Sequence, residues 1–406
     1  MAKRVVLAVA GAGKTYYICR EINPAKKNLI LAYTHENVKN IIRELIDAHG
    51  NVPTLTSVMT FHSFVYRLLV CPYMPTIAKC FTRDSFEMRG ITLNNPPKQS
   101  ILMENGNYRQ NPAYAKVSEL EHYFNRMGQV YNEYTSKLVV RSKKGKERLI
   151  DKASEKLNSF FDQIMIDEFQ DFREDDFELI LSLSKSIDNI LLVGDYYQHS
   201  VSALNNTGMP FEKGRGKSKA SVTYSEFVTN VKAEGFDVDE TTLLKTRRCP
   251  ENVCDFTRTK LGIEIYADNT NNGTVIWVQD SDVELILEND YLVKLVYENS
   301  AKYSFRSQNW SYSKGNTFND SCVILTKALD GFECPKFSSQ SIAKTTFNKL
   351  YVALTRTKGS LYIITDKQFQ AVKAKYLRFA ASLSIRRSIL SPAVSLLVLL
   401  KWTFTL

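Results

Sequence analysis

The chain has 406 residues, of which 44% are hydrophobic and 24% charged, a composition typical of a globular protein and not of a disordered one. This length exceeds one ordinary core, so we expect two domains with insertions. Lysine and arginine exceed aspartate and glutamate by ten, which favours a polyanionic partner. The seven cysteines are scattered, without a CxxC pair or a histidine cluster at metal-binding spacing, and this favours a reduced, cytoplasmic compartment.

The first predicted element is a buried strand over residues 4–9, which leads into a glycine-rich loop and a helix that begins at Lys14. The loop consists of four small residues: Ala10, Gly11, Ala12 and Gly13. No bulky side chain keeps their backbone N–H groups from a phosphate. Lys14 is predicted to neutralise β/γ-phosphate charge and Thr15 to hold Mg²⁺. The sequence therefore predicts a site for ATP and Mg²⁺, although Ala8 stands where the strict pattern has glycine.

Apolar runs at 29–32, 164–167 and 190–194 are typical of buried parallel strands, and polar turns with amphipathic stretches between them predict a doubly wound sheet. Asp167 and Glu168 end one of these strands, at the edge where such sheets place their ligands. Asp167 is suited to Mg²⁺. Glu168 is suited to polarise the water that attacks the γ-phosphate, which favours hydrolysis over kinase chemistry.

The strand–helix alternation is lost between residues 66 and 158, where we expect an inserted subdomain with a helical run around 113–135. A second alternating set after residue 240 predicts another open sheet. Its predicted strands are 241–244, 274–279, 322–326 and 360–365, and its predicted helices are 251–261, 284–299 and 367–381.

Two basic stretches, 141–148 and 212–220, predict exposed loops, either solvated or in contact with phosphate. The first apolar run of the chain feeds directly into the glycine loop, so we expect no signal peptide. The longest uncharged stretch near the other end, 388–400, is shorter than the roughly 20 residues that a spanning helix needs. We therefore expect a docking or edge segment there, or an altered reading frame, rather than a membrane anchor.

Eight motifs in order make the chain resemble the superfamily 1 DNA helicases of the UvrD/Rep type. They are AVAGAGKT (8–15), LILAYTHENVKNI (29–41), MTFHSF (59–64), DEFQD (167–171), VGDYYQ (193–198), LLKTRRCPENV (243–253), SKGNTFNDSCVIL (313–325) and YVALTRTK (351–358). The resemblance implies an α/β fold of two RecA-like P-loop NTPase lobes with parallel sheets, the first carrying a mainly helical insertion. The expected divisions are 1–65 with 159–204 for the first lobe, 66–158 for the insertion, 205–240 for a connecting segment, 241–381 for the second lobe, and 382–406 for an apolar tail.

The resemblance also implies roles for residues far from the glycine loop. Gln198 would sense the γ-phosphate, Arg248 and Arg356 would reach it from the second lobe, and Gly315 would contact the nucleotide. Four residues would lie along single-stranded DNA: Thr34, Thr60, Phe61 and His62. Base stacking on an aromatic face tolerates any sequence, as a stepping motor requires. Taken alone, Arg248 is typical of a surface or salt-bridge residue, and the aromatic residues of MTFHSF are typical of a core.

The chain also departs from that family. Only Met1 to Arg4 precede the first strand, where the family has an adenine-reading glutamine segment, so adenine selectivity is an open point. Tyr196 or Tyr197 could replace the family's DNA-stacking residues or serve a structural role. The stretch 262–312 is too short for the large inserted domain of full-size enzymes, so we expect weak strand separation.

The leading hypothesis is an ATP-dependent helicase or translocase on single-stranded DNA, moving 3′ to 5′, in DNA repair, recombination or defence. One alternative is a nucleic-acid-binding subunit of a larger complex, gated by ATP and without unwinding of its own. The other is an RNA helicase of the same superfamily, because single-stranded RNA has the same backbone charge and stackable bases.

Overall fold

A computed structural model describes residues 2–199, 208–214 and 218–378. The strands are β1 (Ala2–Ala8), β2 (Asn28–Ala32), β3 (Thr56–Thr60), β4 (Ile91–Thr92), β5 (Ser100–Leu102), β6 (Tyr108–Gln110), β7 (Val130–Tyr131), β8 (Lys143–Lys144), β9 (Glu147–Arg148), β10 (Gln163–Asp167), β11 (Asn189–Gly194), β12 (Glu212–Lys213), β13 (Ala220–Ser221), β14 (Asp237–Leu243), β15 (Lys245–Thr246), β16 (Tyr266–Ala267), β17 (Val275–Trp277), β18 (Val293–Val296), β19 (Ser307–Asn309), β20 (Ser321–Ile324) and β21 (Leu361–Ile364). The α-helices are α1 (Lys14–Glu21), α2 (His35–His49), α3 (Phe61–Phe64), α4 (Met74–Cys80), α5 (Thr135–Arg141), α6 (Leu149–Phe160), α7 (Glu174–Ser184), α8 (Tyr224–Ala233), α9 (Glu251–Leu261), α10 (Val283–Glu288), α11 (Lys344–Leu354) and α12 (Asp366–Val372).

The first sheet has six strands in the order β14–β1–β11–β10–β2–β3, and every neighbouring pair is parallel. Side chains of β1 alternate between its two faces: Val5 and Leu7 enter one core, and Val6 and Ala8 enter the other. Helices therefore cover both faces, which explains why the strands read as continuous apolar runs. We refer to this sheet with its helices as the first lobe.

The insertion has helices at its two ends and short strands between them. A π-helical turn (Val65–Val70) and a 3₁₀ turn (Cys71–Tyr73) continue α3 into α4, while α5 and α6 close the insertion. The predicted helical run at 113–135 is wrong, because α5 begins only at Thr135. The side chain of Asn111 accepts the backbone N–H of Ala113 at 3.0 Å, and Gly128 has a φ of 77°; both are turn features that interrupt a helix.

The second sheet has five strands in the order β17–β21–β20–β18–β19, again all parallel, and with its helices it forms what we call the second lobe. The predicted helix 284–299 is correct only in its first five residues, since α10 ends at Glu288 and β18 follows. Asn289 turns the chain by accepting the backbone N–H of Tyr291 at 2.9 Å. All four residues of β18 are buried, as expected of a strand that has a neighbour on each side in the sheet.

The strand predicted at 241–244 belongs to the first sheet rather than the second. Residues 237–243 form β14, which pairs with β1 in a register that aligns Asp237 with Arg4 and Val238 with Val5. The pairing satisfies the backbone groups that β1 would otherwise expose at the edge of the sheet. The chain therefore crosses to the second lobe after Leu243.

The α/β fold class with two parallel sheets is confirmed, and one continuous buried core extends from the first lobe into the second, including Val6, Ile30, Val323 and Leu350. All seven cysteines are free thiols. Within the described ranges, no helix is long and apolar enough to cross a membrane. The predicted tail, 382–406, lies outside the described residues.

Candidate active site

The glycine loop turns sharply between β1 and α1. Gly11 and Gly13 have φ values of 76° and 82°, a backbone region that glycine adopts without strain. A Cβ on Gly11 would lie 2.5 Å from the Thr246 hydroxyl oxygen and 2.7 Å from the Arg248 Cβ, so the segment after β14 packs against the loop. Because the first N–H groups of a helix lack helical partners and carry partial positive charge, the loop and the start of α1 at Lys14 form a site suited to phosphate.

Thr15 and Asp167 lie together beside this loop. The Thr15 hydroxyl donates to Asp167 Oδ2 at 2.9 Å, and Asp167 Oδ1 accepts the backbone N–H of Glu168 at 2.9 Å. Burial and the neighbouring Glu168 charge raise the pKa of Asp167, against the opposing effect of Lys14. No cluster of three or more His, Cys, Asp and Glu side chains with metal-binding geometry occurs in the part of the chain that the structure describes. One carboxylate and one hydroxyl nevertheless fit Mg²⁺, which commonly completes its shell with phosphate oxygens and water.

Glu168 lies between two lysines that come from different lobes. Its Oε1 is 3.4 Å from Lys14 Nζ, its Oε2 is 4.0 Å from Lys314 Nζ, and it also accepts a hydrogen bond from the Gln170 amide. Burial raises the pKa of Glu168, but the two lysines outweigh burial and the net pKa lies below its ordinary value. Lys314 also pairs with Asp171 at 2.6 Å. The Glu168 φ of 54° is strained for a non-glycine residue, a feature that clusters at functional sites.

A cavity of about 480 Å³ joins these groups into one site. Its lining includes Gly11 and Gly13 of the glycine loop and the carboxylates of Asp167 and Glu168, together with Arg248 and Gly315 from the second half of the chain. Tyr16 also lines the cavity, with the guanidinium carbon of Arg247 4.1 Å from the centre of its ring. The residues that line this cavity therefore come from both halves of the chain.

The two predicted arginines have different environments. Arg248 lines the cavity, and its Nη1 donates to the Thr355 carbonyl at 3.2 Å. Arg356 is 1% exposed and is not among the lining residues; its Nε donates to the Val352 carbonyl at 2.9 Å. Burial and the nearby Arg248 charge lower the pKa of Arg356 to about 9, so it stays charged at neutral pH. Of these two arginines, only Arg248 lines the cavity in this arrangement.

The structure surrounds Gln198 with groups that the sequence did not single out. Gln198 is buried and donates to Asp195 Oδ2 at 2.8 Å, rather than lining the cavity. The Tyr351 hydroxyl donates to the same carboxylate oxygen at 3.2 Å and accepts the backbone N–H of Ala10 at 2.8 Å. The sequence indicated these hydrogen bonds only indirectly: Asp195 follows a predicted buried strand, and Tyr351 is the first residue of a motif. The glycine loop thus hydrogen-bonds directly to α11 of the second lobe.

Three of the four predicted DNA-contacting residues border a second cavity of about 550 Å³. Thr34 and Thr60 lie at the carboxyl ends of β2 and β3, where their hydroxyls accept the N–H groups that begin α2 and α3. His62 is next to them, and Arg67 and Leu93 contribute from the insertion. We call this cavity the groove. It combines a cation, hydroxyls, an imidazole and an apolar side chain, which suits phosphates and bases.

Phe61 does not border the groove and is fully buried. Its ring contacts that of Phe172 at a centroid distance of 4.7 Å, so its face cannot receive a base in this conformation. The structure therefore favours core packing for Phe61, against the predicted stacking role. Tyr196 is buried as well, with its hydroxyl donating to the Val222 carbonyl at 2.5 Å, which favours a structural role for this tyrosine.

Residues 2–203 are similar to the AAA domain family, and this stretch contains the glycine loop, both carboxylates and the groove residues of the first lobe. The match supports a nucleotide-binding unit in the first half of the chain; it does not distinguish the UvrD/Rep type from other relatives. No curated protein matches the chain.

Among solved structures, the chain is similar to the helicase of PRRSV, at 14% identity and a TM-score of 0.41, covering 91% of this chain and 53% of that one. It is also similar to the arterivirus nonstructural protein 10 helicase, at 15% identity and a TM-score of 0.41, covering 93% and 62%. A complex of an arterivirus nonstructural protein 10 helicase with DNA gives 15% identity and a TM-score of 0.42, covering 92% and 62%. This protein thus spans between half and two thirds of the length of those helicases, and such low TM-scores carry no argument about its activity.

Proposed function

We propose that this protein is an ATP-driven motor that moves along single-stranded DNA, as a helicase or translocase of superfamily 1. The observation that carries the proposal is the shared phosphate pocket: Lys14 and Glu168 of the first lobe face the same cavity as Arg248 and Gly315. A pocket built from two lobes changes when the lobes move, so hydrolysis of the bound nucleotide can be coupled to their motion.

We assign each of the following groups at this cavity a role in hydrolysis. Lys14 would neutralise phosphate charge, Thr15 and Asp167 would hold Mg²⁺, and the ionised Glu168 would accept a hydrogen bond from the attacking water. Arg248 would stabilise the charge that develops on the transferred phosphoryl group. Arg356 would need to leave its carbonyl partners to join them, which makes it a candidate for a step that follows lobe closure.

The groove supports a nucleic-acid track next to the ATP site. Thr34 follows β2 and Thr60 ends β3, while Asp167 ends β10 of the same sheet. Both sites therefore lie at the carboxyl ends of strands of one sheet. The UvrD/Rep resemblance adds 3′ to 5′ movement to this proposal, as well as a role in DNA repair, recombination or defence.

An ATPase assay with and without nucleic acid tests the proposal. Wild-type protein should hydrolyse ATP only with Mg²⁺, and single-stranded DNA of mixed sequence should raise the rate. Lys14→Ala should abolish hydrolysis. Lys26→Ala removes an exposed lysine that precedes β2 and serves as the matched control, with an expected wild-type rate. A wild-type rate for Lys14→Ala would contradict the nucleotide site, and a rate that ignores every nucleic acid would contradict the motor.

Two further comparisons separate the alternatives. Stronger stimulation by RNA than by DNA oligomers of equal length would favour the RNA helicase. A single-turnover assay on duplexes with a 3′ or a 5′ tail measures unwinding and its polarity. ATP-dependent binding without strand separation on either substrate would favour a gated nucleic-acid-binding subunit.

A further inference from the structure

The insertion carries a hairpin whose exposed positive charge the ATP site does not use. Strands β8 and β9 form this antiparallel pair, residues 143–148, which we call the basic hairpin. Lys143, Lys144 and Lys146 are exposed, and among the described residues none of them forms an ion pair. Glu147, opposite Lys144 in the strand pair, is the one carboxylate of the hairpin. The lysines outnumber it and create a local positive potential, which attracts a polyanion.

The basic hairpin packs against two helices, α4 and α6, that contribute further charge. Lys79 of α4 and Lys152 of α6 border a cleft of about 180 Å³ together with Lys144 and Arg148. Only one carboxylate, Glu147, borders the same cleft, and it pairs with Lys152 at 2.8 Å. The cleft thus has four cations and one anion. This excess of positive charge suits a phosphate group. In a loop that is only solvated, more acidic side chains would stabilise the cations.

A continuous helical segment connects this cleft to the groove. Residues 65–80 run through the π-helical turn, the 3₁₀ turn and α4 without a break. Arg67 borders the groove near the start of the segment, and Lys79 borders the cleft at its end. Twelve residues of helix correspond to about 18 Å. This span holds about five nucleotides at the roughly 3.4 Å per nucleotide of a stacked strand.

We propose that the basic hairpin is a second contact for single-stranded nucleic acid, which binds the phosphates of a strand where it leaves the groove. The proposal rests on the proposed function, because the groove must itself hold the strand. It predicts that an oligonucleotide binds more tightly once it extends about five nucleotides beyond the groove. The contact is electrostatic and independent of base sequence.

The test compares Lys144→Gln/Lys146→Gln with Lys26→Gln/Lys27→Gln. Each pair removes two exposed lysines, so the net charge of the two variants is the same, but Lys26 and Lys27 precede β2 at the opposite edge of the sheet from the groove. Binding of single-stranded oligonucleotides of increasing length, and of a blunt duplex, is measured at two salt concentrations. The melting temperature and the ATPase rate without nucleic acid are measured on the same preparations.

We expect the hairpin variant to retain the wild-type melting temperature, basal ATPase rate and affinity for the shortest oligonucleotides that bind. Its affinity for longer ones should fall. Each phosphate contact contributes about −0.7 to the slope of log affinity against log salt concentration. If two contacts are lost, a rise from about 50 to about 200 mM salt should weaken binding by the variant about 7-fold less than binding by wild type. The control variant should match wild type at every length.

Equal binding by both variants at every length would overturn the proposal and leave the motor function untouched. A loss confined to duplex DNA would also overturn it, because the contact would then belong to the duplex. If wild-type protein bound no single-stranded oligonucleotide of any length, that result would contradict the proposed function itself.

Discussion

Replacing Phe61 with alanine distinguishes core packing from base stacking at the start of α3. The side chain is 0% exposed, and its ring lies 4.7 Å from that of Phe172 and 6.1 Å from that of Phe64. Truncation of such a phenylalanine costs about 3–5 kcal/mol of unfolding free energy. Since each kcal/mol lowers the melting temperature by about 2–4 °C in a domain of this size, we expect a fall of about 6–20 °C.

The assay measures the melting temperature and the ATPase rate with and without single-stranded DNA on the same preparations. For Phe61→Ala, both rates should fall together, in proportion to the folded fraction. His62→Ala is the neighbouring comparison: His62 borders the groove, and its Nε2 is 3.8 Å from Asp176 Oδ2. Its loss should weaken stimulation and lower the melting temperature by less than the loss of Phe61 does. An unchanged melting temperature with lost stimulation in Phe61→Ala would refute the core assignment.

Three other substitutions probe the ATP site. Glu168→Gln should preserve ATP binding and slow hydrolysis by about 10²–10⁴-fold, as loss of a catalytic base does; nucleotide affinity as poor as that of Lys14→Ala would contradict this division of roles. Tyr351→Phe leaves the buried N–H of Ala10 without its 2.8 Å acceptor, so denaturant titration should show a loss of about 1–3 kcal/mol, and a loss below about 0.5 kcal/mol would count against the link. Arg356→Ala should cut nucleic-acid-stimulated turnover by about 10³-fold if Arg356 reaches the phosphate after closure; a fall that only matches the folded fraction would assign Arg356 a structural role.

Predictions from the sequence succeeded where local chemistry decides. The loop at 10–13 needs small residues and a following helix, both of which are adjacent in the chain, and the apolar runs at 164–167 and 190–194 form β10 and β11. Predictions from the sequence failed where a run of apolar residues is compatible with both a helix and a buried strand. Residues 284–299 read as one helix, but the turn at Asn289 divides them into α10 and the buried strand β18.

The α/β class and the order of the phosphate-binding residue types could be predicted from the sequence, because glycine conformation and strand hydrophobicity act over a few neighbouring residues. The three-dimensional packing was needed to show that Phe61 is in the core, that Arg356 bonds to carbonyls of its own lobe, and that β14 joins the first sheet. It alone also brought Tyr351 to Ala10, across 341 residues of chain. Burial and such long-range contacts depend on how distant elements pack, and no local pattern of residues encodes that distance.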